Sequence, residues 1–204
     1  MSEVVYVSGF ANPKHETRKV AADIASFFDK DVEGLSLLSA MNTFPGYFEG
    51  KSMVTHSGGL LVADRAHPAE VIAVAPPVPM PLSRLIRRGI ALGKEQGKQP
   101  GTDKLELTNR TEYELLCHPI ANSRVLREIS QFNAFDSTAK LAAHGTKVTL
   151  ALMKDDGIYR YEADKLVRGA KLAAELGARV LTLEGNHVRI LNDADGILSE
   201  ATAP

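Results

Sequence analysis

Three side chains in this sequence have the types, and the chain order, that nucleophilic catalysis needs. Ser57 stands in Val54-Thr55-His56-Ser57-Gly58-Gly59, where an extended run gives way to two glycines and then to the apolar stretch Leu60-Leu61-Val62-Ala63. That pattern reads as a strand, a tight turn and a helix, with the serine at the apex. Asp155 and Asp156 follow the apolar run 147–153, and His187 follows the run 179–183 across Glu184-Gly185-Asn186. A serine hydroxyl is a poor nucleophile until a neighbouring base takes its proton, and histidine serves as that base when a carboxylate fixes its tautomer. Taken singly, each residue has a plainer use: the serine in a turn, the aspartates as a cap or a solvated turn, the histidine on the surface. It is their joint occurrence, in the order Ser, Asp, His, that points to chemistry.

Such residues act together only if the fold gathers them. Val4-Val5-Tyr6-Val7, closed by Ser8-Gly9, reads as a buried strand. After a turn at Asn12-Pro13, Val20, Ala21, Ile24, Phe27 and Phe28 recur at helical spacing. Further strands are expected at 32–37, 52–56, 70–75, 147–153 and 179–183, with a connection over 42–50. Helices are expected at 58–66 and 163–176, and a short one near the end. This alternation predicts an α/β fold, a three-layer sandwich with a mostly parallel sheet of about six strands. In such a sheet ligands bind beyond the carboxyl ends of the strands. Ser8-Gly9-Phe10, Ser57, Asp155-Asp156 and His187 all follow strand ends, so they fall along one edge. The rhythm breaks over 76–144, where helical patterns at 81–93 and 112–131 flank a polar segment at 94–111. An excursion of that length is read as a helical lid or cap inserted within one domain spanning 1–204.

Composition narrows the function classes. A chain of 204 residues, 44% hydrophobic and 24% charged, suits one folded domain with a real core. A formal net charge of −1 gives no bulk attraction to nucleic acid or to an anionic membrane. No apolar stretch approaches the ~20 residues of a membrane span. Cys117 is the single cysteine, which excludes an internal disulfide and a cysteine-based metal cluster and suits a reducing compartment. No secretory pattern precedes the first strand, so the expected location is the cytoplasm. Neither a metal motif, a phosphate loop nor a dinucleotide fingerprint appears, so no cofactor or metal is expected. The partner expected is a small-molecule substrate, and the residues carry no signal of oligomeric state.

The combination resembles the α/β-hydrolase family. Thr55-His56-Ser57-Gly58-Gly59 is similar to its nucleophile elbow, commonly G-x-S-x-G. The run from Leu150 to Ile158 resembles the strand and turn that carry the family's acid, and Glu184-Gly185-Asn186-His187 the turn that carries its base. Val7-Ser8-Gly9-Phe10 resembles the segment that shapes its oxyanion hole. The resemblance covers nearly the whole chain outside 76–144. It implies Ser57 as nucleophile, His187 as base and an aspartate as orienting acid, with the backbone N–H groups of Phe10 and Gly58 as the oxyanion hole. Of the two aspartates, Asp156-Gly157-Ile158-Tyr159 fits the family's acid turn better than Asp155 does, so the resemblance implies Asp156. His56 is expected to support the elbow. Two positions depart from the pattern: Thr55 stands where the elbow usually has glycine, and Ser8 where the oxyanion loop usually has histidine. The chain also corresponds to a small, trimmed version that begins at the family's third strand.

The implied activity is that of a serine hydrolase, esterase-like, cleaving a small carboxylic ester or thioester through an acyl-enzyme. Cleavage of amide or carbon–carbon bonds on the same scaffold is the alternative, as is a non-catalytic relative that keeps the pocket for binding. Thr55 is the feature that favours the last of these. In the helical pattern at 81–93, Arg84, Arg87 and Arg88 lie beside Leu82, Leu85 and Ile86. They read first as a solvated basic face, and more sharply as a lid that meets an acidic or amphipathic substrate. His15, His67, His118 and His144 have no ligand-like spacing.

Overall fold

The computed structural model describes residues 3–10, 12, 14–96, 119–159 and 163–203. Most of the polar segment at 94–111, the first residues of the helical pattern at 112–131, and Cys117 and His118 lie outside them. Six strands, β1 (Val4–Val7), β2 (Val32–Leu35), β3 (Ser52–His56), β4 (Glu70–Val74), β5 (Lys147–Met153) and β6 (Arg179–Leu183), form one sheet in the order β2-β1-β3-β4-β5-β6. Every neighbouring pair is parallel.

Successive side chains of a strand point to opposite faces, and here both faces are buried, so the strands are nearly continuous in apolar residues. One set, including Val4, Tyr6, Val54, Ile72, Ala151 and Met153, packs under α1 (Lys14–Phe28) and the C-terminal helix Ala194–Thr202. The other, with Val5, Val7, Met53, Val71, Leu150 and Leu152, joins Leu60, Leu61 and Ala63 of α3 (Leu60–Ala66) and, beyond it, Ile129, Phe135 and Leu141. The result is the expected three-layer α/β sandwich, with the sheet parallel throughout. Among the described residues no helix is long and apolar enough to cross a membrane.

Two stretches differ from expectation. The second strand stops at Leu35 because Ser36 caps a short helix, α2 (Leu37–Met41), by accepting the Ser39 N–H at 3.3 Å. Leu37 and Ala40 then bury on the sheet, and a single 3-10 turn at Pro45–Tyr47 completes the connection. The excursion after β4 holds α4 (Leu82–Gln96), α5 (Pro119–Gln131) and also α6 (Ala134–Ala143), a helix the periodicity did not separate. Asn133 caps α6 by accepting the Phe135 N–H at 3.1 Å. α6 packs on α3, on β5 and on α7 (Ala163–Glu175), so it belongs to the helical layer over the sheet. The last helix, Ala194–Thr202, is α8.

The strand order also fixes where a site can form. From β1 the chain steps to β2 on one side, and β3 returns to the other side of β1. The reversal leaves a crevice beyond the carboxyl ends of β1 and β3, which is where open parallel sheets bind ligands. Gly9 and Ser57 meet there: a Cβ added to Gly9 would lie 3.1 Å from the Ser57 Cβ.

Close approach at this point depends on Gly59. Its backbone is helical, with φ −58° and ψ −25°, so any residue suits its dihedrals. A Cβ there would nevertheless lie 2.7 Å from the Val7 carbonyl oxygen, an immobile backbone atom of the central sheet. Gly59→Ala is therefore expected to destabilise the fold by about 1–3 kcal/mol, the usual cost of overpacking a filled core. A urea denaturation midpoint equal to that of the parent chain would contradict this.

Candidate active site

β3 ends in ordinary extended backbone at His56, with φ −115° and ψ 134°. The next residue, Ser57, has φ 51°. An L-residue other than glycine pays roughly 1–3 kcal/mol for such a conformation and keeps it only where the surroundings enforce it. They do so here by filling. Gly58 backs onto the side chains of Ile129 and Leu37, which a Cβ would meet at 2.9 and 3.0 Å, and Gly59 abuts Val7 as above. The chain can turn only by throwing the strain onto Ser57.

Thr55 fits this turn without distortion. It is a regular strand residue in register with Val7 and Ala73, buried, and away from the strained position. A Cβ on Gly59 would come within 3.2 Å of the Thr55 Cβ. The crowding that a glycine usually relieves at the first elbow position is relieved from the other side, by Gly59. The Thr55 hydroxyl is buried without a hydrogen-bond partner.

Asp156 and His187 come from two loops bound together by backbone. The Lys154 N–H donates to the Leu183 carbonyl at 2.9 Å and the Asp155 N–H to the Gly185 carbonyl at 3.0 Å. Beyond these bonds the Asp156 carboxylate turns inward and is fully committed. Its Oδ1 accepts the N–H groups of Ile158 and Tyr159, each at 2.7 Å, and its Oδ2 accepts from His187 Nδ1 at 2.8 Å. Asp155, one residue earlier, is exposed. Burial pushes the Asp156 carboxyl up, but the His187 charge, the His187 hydrogen bond and the two backbone donors together outweigh it and hold it below the usual carboxylate value. An ionised carboxylate can only accept, so His187 carries its proton on Nδ1, leaving Nε2 as the basic nitrogen. Asp156, His187 and Ser57 are all buried, at 2, 3 and 7% exposure, so a charge developed among them is little screened.

His56 supports the assembly. A carbonyl can only accept, so His56 Nε2 donates to the His187 carbonyl, at 2.8 Å, while its Nδ1 accepts from the Asn12 amide at 3.3 Å. The residue before the strained serine thus holds the backbone of the histidine loop. Burial, reinforced by the neighbouring His187, pulls the His56 pKa down to about 3. The unfolded chain takes up a proton near pH 6.5 that the folded chain refuses until about pH 3, so stability falls as the pH drops through that window. Asp156, whose folded value is depressed, adds its own loss only further down, below the ordinary value of 3.8. His56→Phe is expected to lower stability at pH 7, where the His187 carbonyl loses its donor, and to flatten the decline between pH 6.5 and 4.5. Urea midpoints measured across that range check this, and an unchanged slope would contradict it.

The Ser57 hydroxyl meets a residue the sequence did not single out. Its Oγ lies 3.2 Å from the hydroxyl of Tyr159, whose ring packs edge-on against His187 with centroids 5.3 Å apart. The His56 and His187 rings are 5.0 Å apart. Ser57, Asp156 and His187, from three separate strand ends, are therefore gathered with His56 and Tyr159 in one buried cluster. Gly58 follows Ser57 in the turn, and Phe10 follows Gly9 on the adjoining β1 loop, half-buried against the same core. Of the three arginines on α4, Arg84 and Arg87 are exposed, whereas Arg88 donates to the Ile158 carbonyl at 2.6 Å and ties α4 to the acid turn. Tyr159 and Asn12 were legible only as neighbours of better candidates. Among the described residues no group of three or more His, Cys, Asp or Glu side chains is arranged to hold a metal ion.

No known family profile and no curated protein matches the sequence. Solved structures do. An N-formylmaleamic acid deformylase from Pseudomonas putida S16 superposes with a TM-score of 0.63 at 16% identity, over 99% of this chain and 92% of that one. A carboxylesterase structure from the thaumarchaeon Nitrososphaera gargenis gives a TM-score of 0.61 at 12% identity, over 98% and 90%. A hydrolase from Oleispira antarctica gives 0.60 at 10% identity, over 97% and 89%. Identities this low speak to architecture, and the agreement runs over almost the full length of both partners. Together with the parallel six-stranded sheet, the strained serine turn after β3 and the acid and histidine turns after β5 and β6, it establishes that the chain has the α/β-hydrolase fold.

Proposed function

We propose that the protein is a serine hydrolase that cleaves a small carboxylic ester or thioester through an acyl-enzyme. The observation that carries this reading is the buried Asp156–His187 pair gathered with a serine held at φ 51°. Neither the strain nor the burial of a carboxylate against an imidazole helps the fold, and both are what a nucleophile and its base require.

His187 Nε2 takes the Ser57 proton as Oγ attacks the acyl carbon, and returns it to the leaving group as the tetrahedral adduct collapses. Asp156 keeps the imidazole in the Nδ1–H tautomer and stabilises the imidazolium. The backbone N–H groups of Gly58 and Phe10 receive the oxyanion, and losing one such donor typically costs ~3 kcal/mol of barrier. Water deprotonated by His187 then releases the acid and restores Ser57. No cofactor or metal enters this scheme. Of the segment 76–144 expected as a lid, the part ahead of α6 is proposed as the cap over the site. The single cysteine suits a cytoplasmic setting, and the partner is a small-molecule substrate. The structures that share the fold include a carboxylesterase and a thioesterase domain, which supports acyl transfer. A deformylase among them favours, as the second reading, a short amide or formamide substrate on the same machinery.

Turnover of acetyl and butyryl p-nitrophenyl esters, the matching acyl thioesters and a formamide tests the proposal. Hydrolysis of at least the short esters or thioesters is expected. A folded protein inert towards all three classes would contradict it.

A further inference from the structure

We infer that Tyr159 is a catalytic residue whose hydroxyl donates a hydrogen bond to Ser57 Oγ as the acyl-enzyme breaks down. The inference rests on the serine-hydrolase reading and deepens it. The phenol lies 3.2 Å from Oγ and is aimed by the acid turn itself, because the Tyr159 N–H binds the same Asp156 carboxylate that binds His187. Arg88, donating to the Ile158 carbonyl, fixes the peptide just before it. Tyr159 is only 3% exposed, which keeps it from bulk water, and its ring lies against the His187 imidazole. Burial, only partly offset by the Ser57 hydrogen bond, raises the phenol pKa, so Tyr159 remains a proton-bearing donor throughout the neutral and mildly alkaline range.

A donor on Oγ acts unequally on the two halves of the reaction. In acylation the bond to the Ser57 hydroxyl is already made in the free enzyme, so the transition state gains little over the ground state. In the acyl-enzyme Oγ is an ester oxygen, a poorer acceptor, and the bond strengthens only as charge returns to it. In deacylation Oγ is the leaving group. His187 takes a proton from water, the hydroxide oxygen bonds to the acyl carbon, and collapse of the adduct breaks the carbon–Oγ bond. The electron pair passes to Oγ, which recovers a proton from the His187 imidazolium while the acid departs. Tyr159 stabilises the negative charge on Oγ in that step and itself loses no proton. Hydrogen bonds to charged groups are roughly twice as strong as neutral ones, so the benefit falls where the charge is.

Tyr159→Phe keeps the ring and its packing and removes only the hydroxyl. With p-nitrophenyl acetate, kcat is expected to fall on the order of tenfold or more, with KM falling by a similar factor and kcat/KM changing by less than about threefold. The stopped-flow trace should show a burst of about one nitrophenolate per Ser57, followed by a steady phase slowed in proportion to kcat. An unchanged kcat would overturn the inference. So would a kcat/KM that falls as steeply as kcat at constant KM, the pattern of a disturbed acylation site. Both results leave the hydrolase reading standing, because they presuppose an active parent. A parent protein that neither turns over esters nor accumulates an acyl-enzyme overturns the hydrolase reading and the Tyr159 role together.

Discussion

Ser57→Ala is expected to reduce ester turnover by about a millionfold, to the residual rate that a binding pocket and oxyanion donors provide without a nucleophile. The fold should survive the change. Ser57 is buried, its Oγ lies 3.2 Å from the Tyr159 hydroxyl, and alanine feels the same strain at φ 51°. Ser57→Gly sharpens the point. Glycine adopts a positive φ without a Cβ clash, so this variant should be equally inactive yet more stable than the parent, by about 1 kcal/mol in urea unfolding. A turn whose best residue for stability is not the residue present is a turn kept for another purpose. Parallel loss of activity and of stability in Ser57→Gly would contradict this, since it would make the serine a structural residue.

Asp156→Asn is expected to lower kcat by about ten thousandfold while leaving the backbone of the site in place. The reason lies in how the carboxylate is used. Its Oδ1 accepts two backbone N–H groups at 2.7 Å, a pattern an asparagine carbonyl satisfies equally well. That anchoring turns the new amide nitrogen, a donor, towards His187 Nδ1, which lies 2.8 Å from Oδ2. Two donors cannot face each other, so the imidazole must move its proton to Nε2 and lose the lone pair that the proposed mechanism needs to take the Ser57 proton. The variant should melt near the parent temperature and regain little activity as pH is raised. Steady-state kinetics from pH 6 to 9 check this. A loss of tenfold or less would mean that the tautomer of His187 does not limit the reaction.

Much of this architecture was legible in the sequence, because parallel strands buried on both faces leave short, near-continuous apolar runs bounded by turn residues. The runs at β1, β3, β5 and β6 fall at the expected residues, and the strand ends carry Ser57, Asp156 and His187. Capping was less visible. Ser36 lies within the run expected as the second strand, and Asn133 falls just beyond the helical pattern at 112–131, although each caps a helix through its side-chain oxygen. The Ser36-x-x-Ser39 and Asn133-x-x-Asp136 spacings are weak signals beside an apolar run, and they lose to it in a reading by hydrophobic pattern. Thr55 misled in another way. A motif written as G-x-S-x-G suggests that each glycine is needed separately, whereas the structure shows one contact between the two positions, which Gly59 alone can relieve. Tyr159 could not be weighed from spacing, because its place depends on how tightly the Asp156 turn folds back, and that is set by two backbone hydrogen bonds. His56 was read as support for the elbow, and its neutral ring does hold the His187 loop through a carbonyl 131 residues away in sequence.

Activation of Ser57 as a nucleophile can be measured directly, without knowledge of the substrate. The protein is treated with a fluorophosphonate, digested, and its peptides weighed. A single adduct on the peptide containing Ser57, formed by the parent and lost in His187→Ala, is the predicted result. A correctly folded protein that takes up no phosphonate, or takes it up on another residue, would contradict it.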